Sequence, residues 1–138
     1  MLTFRTYLTK NDPDAICKIA ASTGFFDESD VELNRKLAEK ALHNKDCGYE
    51  YIIAEFGGEP VAYVCFGELP DAREGTFEIF WLSTLNSFRG CGIGHQLFSR
   101  LSEILKERDA QKLYVKTDNT DQYYPTRKFY EKCGFRRE

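Results

Sequence analysis

The chain has 138 residues, 42% of them hydrophobic and 14% aromatic, which suits one domain with one core and excludes a disordered segment or a two-domain enzyme. Nineteen Lys and Arg against 22 Asp and Glu give a net charge of −3, without the basic excess that nucleic acid would demand. Five scattered cysteines form no CxxC pair, His43 and His95 have no ligand-spaced partners, and no apolar run approaches a membrane span, so the expectation is a reduced, cytoplasmic protein with no metal.

Residues 3–8 alternate and predict a first strand. Asn11-Asp12-Pro13 opens a helix with Ile16, Ile19 and Ala20 on one face, and Ser22-Thr23-Gly24 ends it. Phe25 and Phe26 follow in a loop. Ser29 with Glu32 matches a capping box, and Leu33, Leu37 and Ala41 predict the buried stripe of a second helix. Residues 49–56 and 59–68, joined by Gly57-Gly58, predict a hairpin. A long strand follows over Thr76–Leu85; strict alternation puts Phe77, Ile79 and Trp81 on one face and Glu78, Phe80 and Leu82 on the other. Ile93, Leu97, Phe98, Leu101, Ile104 and Leu105 share one face of a helix ending near Arg108. Residues 112–117 predict another strand. Pro125 starts a helix running to Lys132, and Phe135-Arg136-Arg137 begins a last strand. The order βααβββαβα(β) predicts an α+β (mixed α/β) fold: a twisted, mostly antiparallel sheet with helices on both faces.

Charge clusters at Asp27, Glu28, Asp30 and Glu32, and at Glu68, Asp71 and Glu74, are read as solvated helix ends and turns. If they instead face a site, they favour a cationic acceptor such as a polyamine, an aminoglycoside or a peptide amine.

The most informative stretch is Arg89-Gly90-Cys91-Gly92-Ile93-Gly94, between the long strand and the amphipathic helix. Alternate glycines let consecutive N–H groups converge, and the following helix adds the positive end of its dipole; together they make a pyrophosphate cradle. Arg89 adds a charge-assisted contact, and His95 is either exposed or within reach of a phosphate. A Walker loop is excluded because no Lys-Ser or Lys-Thr follows. A dinucleotide fingerprint fails because its third glycine falls on His95 or Leu97.

This loop matches the [QR]xxGx[GA] motif of the Gcn5-related N-acetyltransferases (GNAT superfamily). Lys128-Phe129-Tyr130-Glu131-Lys132-Cys133-Gly134-Phe135 is similar to that family's C-terminal motif of the type rFYeklGF, about 40 residues later on the expected frame. The element order from residue 3 to 135 also resembles the family fold. The resemblance implies a single acetyltransferase domain over 1–138 that takes acetyl-CoA as donor and a primary amine of a small molecule or peptide as acceptor. It implies Glu78 as general base and Tyr130 as the acid for the leaving thiolate. Leu82, Ser83 and Thr84 would meet the acyl and pantetheine portion through their backbone, and Arg89, Gly90, Cys91, Gly92, Ile93, Gly94 and His95 would hold the phosphates. Phe25, Phe26, Tyr123 and Tyr124 are candidates for the acceptor wall. The residues alone leave Glu78 open between a solvated strand glutamate and a carboxylate in a partly dry pocket, and Tyr130 between acid and packing. Asn119 is the counterpart of a family asparagine, on a longer connection than usual. The family continues past the Gly134-Phe135 motif with further strands, so the expectation is a C-terminally truncated sheet or a homodimer that completes it. The alternative function is a non-catalytic acyl-CoA-binding module of the same fold.

Overall fold

The computed structural model describes residues 1–116 and 123–136. The elements are β1 (Leu2–Arg5), α1 (Asp12–Ser22), α2 (Glu28–His43), β2 (Glu50–Phe56), β3 (Glu59–Glu68), β4 (Thr76–Thr84), α3 (Ile93–Glu107), β5 (Lys112–Val115) and α4 (Tyr124–Lys132), with a short 3₁₀ turn at Asn86–Phe88. One mixed sheet runs in the order β1-β2-β3-β4-β5; every pair is antiparallel except β4–β5, which α3 connects as a crossover.

Side-chain alternation splits the sheet between two cores. Ile52, Ala54, Val64, Phe66, Phe77 and Ile79 face α3, meeting Ile93, Leu97, Leu101 and Leu105. Tyr51, Ile53, Tyr63 and Cys65 face Ile16 and Ile19 of α1 and Ala38 of α2. The central strand β3 is therefore buried on both faces from Val61 to Gly67. At Gly67 the chain comes so close to the Gly48 carbonyl that a Cβ would lie 2.0 Å from its oxygen, which leaves room for glycine alone. Gly57 and Gly58 both have positive φ (61° and 85°), as the tight hairpin requires.

Four sequence expectations shift. The first strand stops at Arg5 rather than residue 8, because Arg5 turns to grip Asp12 with two guanidinium bonds of 2.6 and 2.7 Å, and Asp12 also accepts from Thr9 N–H at 2.6 Å. The cap of α2 is Asp27, which accepts from Asp30 N–H; Ser29 donates its hydroxyl to Asp27 instead of capping. The buried stripe of α2 is Asn34 and Ala38, while Leu33 is 42% exposed. The rotation has a polar cause: the wholly buried Tyr63 hydroxyl donates to Asn34 Oδ1 at 2.6 Å, and Asn34 donates on to Asp30 O. Finally, Phe135 and Arg136 are not in a strand. Phe135 N–H bonds back to Tyr130 O, and its ring packs on Phe98 and Tyr130. Asn119, Thr117 and Arg137 lie outside the described residues.

Candidate active site

Among the described residues, β4 loses its outer neighbour halfway along. β5 pairs with Thr76–Ile79 only, ending at Ile79 opposite Val115, whereas β4 continues to Thr84. The ladder with β3 decides which amides are left. Leu85 N–H donates to Val61 O at 2.7 Å. Alternation then turns the main chain of Ser83 and Trp81 toward β3, and that of Leu82 and Thr84 toward the open edge. Leu82 and Thr84 thus offer N–H groups where another strand would add. Ser83 does not: its backbone belongs to the β3 ladder and its buried hydroxyl lies beside Tyr63.

A bulge reshapes the same strand. Cys65 pairs with Trp81 and Phe66 with Ile79, which leaves Phe80 as an extra residue. Strict alternation therefore fails here. Phe80 and Trp81 both pack on the α1/α2 side, and Leu82 joins Phe77 and Ile79 on the α3 side. Glu78, one step before Phe80 on that face, shares its side with Phe80 and is half-buried.

Behind the open edge lies the glycine loop. Gly90 and Gly92 have φ of 80° and 78°, a left-handed geometry that turns the chain sharply into α3. No side chain caps α3, and the first backbone bond into it is Gln96 N–H to Gly92 O. The amides from Gly90 to His95 donate to no carbonyl among the described residues. Unfilled donors at a helix N-terminus, with the dipole behind them and Arg89 exposed beside them, form a site for an anion. Gly94 has a different reason: a Cβ there would lie 3.1 Å from Phe129 Cε1, so it lets α3 and α4 approach.

Open edge and loop border one cavity of about 680 Å³. Its lining brings together Leu82, Ser83, Thr84, Arg89, Gly90, Gly92, Ile93, Gly94, His95 and Tyr130 with Phe25, Phe26 and Tyr123. Three expected residues stand outside that lining. Cys91 is exposed, with its thiol turned to the Arg89 carbonyl. Tyr124 is 54% exposed, and Lys128 and Arg127 lie over its ring. Glu78 sits one residue beyond Ile79, the last β4 residue of the wall.

Tyr130 is 8% exposed and is placed by its neighbours: Phe129 and Phe135 meet its ring edge-on. Burial, with a smaller push from the Cys133 thiol, raises its pKa well above the ordinary phenol value. Its hydroxyl therefore stays protonated at neutral pH and makes no hydrogen bond within the described protein, leaving it free to donate into the cavity. His95 packs against Phe129 with the rings tilted at 47° and their centroids 4.7 Å apart, and its Nδ1 lies 3.7 Å from the Cys133 sulfur.

The sequence reading missed Phe80, Trp81, Phe129 and Lys116 as wall residues. Phe129 was legible within the C-terminal motif. Trp81 and Phe80 were not, because a bulge of one residue leaves no mark on hydrophobic periodicity.

Comparison with known proteins follows the same lines. The model of the acetyltransferase (GNAT) family matches residues 14–135. Among solved structures, a protein from Desulfovibrio desulfuricans assigned to the GNAT acetyltransferases is similar over the whole chain and 87% of its own, at 27% identity and a TM-score of 0.95. The ribosomal-protein-S18-alanine N-acetyltransferase of Escherichia coli covers 100% of this chain and 79% of its own, at 17% identity and a TM-score of 0.79. The PaiA N-acetyltransferase of Thermoplasma acidophilum, solved with coenzyme A, covers 100% and 91%, at 16% identity and a TM-score of 0.79. No curated protein matches the sequence.

Proposed function

The chain belongs to the acetyltransferase (GNAT) family, and from that premise we propose that residues 1–138 act as one domain transferring the acetyl group of acetyl-CoA to a primary amine. The observation that carries this reading is the run of amides from Gly90 to His95, unfilled among the described residues, in a loop that borders the same cavity as the edge of β4 beyond Ile79. That pairing suits a ligand with a diphosphate at one end and a peptide-like arm along a strand edge. Both features fit the donor: phosphate oxygens accept from the loop amides and Arg89, and amide groups of the pantetheine arm add to Leu82 and Thr84 as an extra strand does. The Thermoplasma relative, solved with coenzyme A, supports the same ligand.

Acetyl-CoA supplies an acyl carbon already activated as a thioester. The chain's residues then have three tasks. The Leu82 N–H polarises the acyl carbonyl. Glu78, the single carboxylate in β4, takes the proton of the attacking amine through water, since its own position is just outside the wall. The Tyr130 hydroxyl gives a proton to the departing sulfur. One N–C bond forms, one C–S bond breaks, the amine's proton goes to Glu78 and the tyrosine's to the thiolate. Glu78 then gives its proton to water and Tyr130 regains one from water, which restores both groups.

Calorimetry with acetyl-CoA, paired with a thiol-release assay over amines, tests the reading. Saturable heat is expected, and R89Q weakens it in a salt-dependent way. E78Q keeps the affinity and loses amine-dependent release. Folded protein that gives no heat with acetyl-CoA or CoA sinks the proposal. Binding with no amine-dependent release from the unmodified chain points instead to an acyl-CoA-binding module.

A further inference from the structure

The cavity lining has two chemically different parts. Besides the amide loop, it carries aromatic rings from three separate elements. Trp81 meets Phe26 at 5.4 Å, Phe26 meets Phe25 at 5.2 Å, and Phe25 meets Tyr123 at 4.7 Å, all edge-to-face at 78–89°. All four rings line the cavity and none is fully buried. Phe25, Phe26 and Tyr123 belong to neither core cluster; they meet one another and Trp81 at the cavity surface. Successive edge-to-face contacts fix the rings' orientation, as a preformed apolar seat requires. The Phe80 bulge is what turns Trp81 into this wall.

Charge narrows the occupant further. Arg89 and Lys116 are the formally charged side chains of the described lining, and both are cations. Asp27, next to Phe26 in the chain, is engaged as the cap of α2, and Glu68 accepts from Gly75 N–H in the β3–β4 turn. The several ammonium groups of a polycation would shed their water here with one nearby described carboxylate, Glu78, just outside the lining.

We infer that the acceptor is a primary monoamine carried on an aromatic or apolar body, seated against Phe26, Phe25 and Trp81, and not a polyamine or aminoglycoside. The inference rests on the acetyl-transfer reading above and names its substrate class.

Trp81 is the single tryptophan of the chain, so its emission reports directly on the seat. Phenethylamine and spermidine are titrated separately into protein saturated with CoA, where no transfer occurs. Phenethylamine is expected to change the emission saturably, with half-saturation about tenfold or more below that of spermidine. F26A raises the phenethylamine value about tenfold, and F26L, which keeps the apolar volume, raises it less. Both variants keep calorimetric acetyl-CoA affinity within about twofold, which shows the site intact. Spermidine binding equally or more tightly overturns the inference. So does phenethylamine that gives no saturable response, or that binds F26A as well as the unmodified chain. Loss of acetyl-CoA heat from the unmodified chain is a different result: it overturns the parent reading.

Discussion

Ile79 faces Val115 across the last pair that joins β4 to β5, and from that point the two strands share no further pairing among the described residues. The separation leaves Leu82 and Thr84 with outward amides. Because those amides take no part in the β3 ladder, one of them can be removed without unpairing the sheet. Thr84→Pro removes the last one at the strand's end. The acetyl-CoA Kd should rise about 2- to 12-fold, the worth of one hydrogen bond of about 0.5–1.5 kcal/mol. The melting temperature should barely move. A large loss of stability would show that Thr84 N–H serves the fold.

Tyr130→Phe keeps the ring among Phe129 and Phe135 and deletes only the hydroxyl. Turnover should fall about 10²-fold, within the range of general-acid contributions, with acetyl-CoA affinity retained. Because burial raises the phenol's pKa, the unmodified enzyme should show no loss of rate from Tyr130 deprotonation up to about pH 10. Unchanged kcat in the Phe variant would reduce Tyr130 to a packing residue.

Acid should weaken the fold through Asp12. Burial raises its pKa, but hydrogen bonds from Arg5 and Thr9 more than offset that, and the net shift is downward. A carboxylate whose folded pKa is depressed stabilises above its unfolded pKa of about 3.9, and that contribution is lost as pH falls through the folded value. Asp12→Ala should cost about 3–5 kcal/mol in urea at pH 7, by leaving Arg5 nearly buried without its main partner. The gap between the two proteins should shrink below about pH 4. A gap that stays constant down to pH 2 would mean the pair contributes no charge-dependent stability.

Two substitutions separate the sequence's cap from the structure's. Asp27→Ala removes the acceptor for Asp30 N–H and should lower the melting temperature by a few degrees. Ser29→Ala loses only a hydroxyl bond to Asp27 and should cost less. The reverse order in thermal melts would restore Ser29 as the cap.

Much of this molecule was legible in its residues because the signals are local. The two-glycine hairpin, the 3.6-residue stripe of α3, the proline that starts α4 and the glycine loop each depend on neighbours a few positions apart. Those short-range rules were enough for the element order and the mixed sheet, and the two motifs pointed to the family. Where the sequence reading slipped, a distant partner decided the outcome. Asp12 ended β1, Tyr63 rotated α2 onto Asn34, and Phe135 folded back on Phe98 in place of a strand.

The sequence by itself determined most of the helices and strands, the glycine loop ahead of α3, and a mostly antiparallel sheet with helices on both faces. Backbone conformation and amphipathic period are properties of consecutive residues, so they need no knowledge of the rest of the chain. Only the tertiary structure decided that β4 and β5 pair no further than Ile79 among the described residues, that Phe80 bulges, and that Trp81, Phe26, Phe25 and Tyr123 meet as one wall. Register and ring contact depend on how strands far apart in the chain align, and that alignment is set by the packing of the whole core.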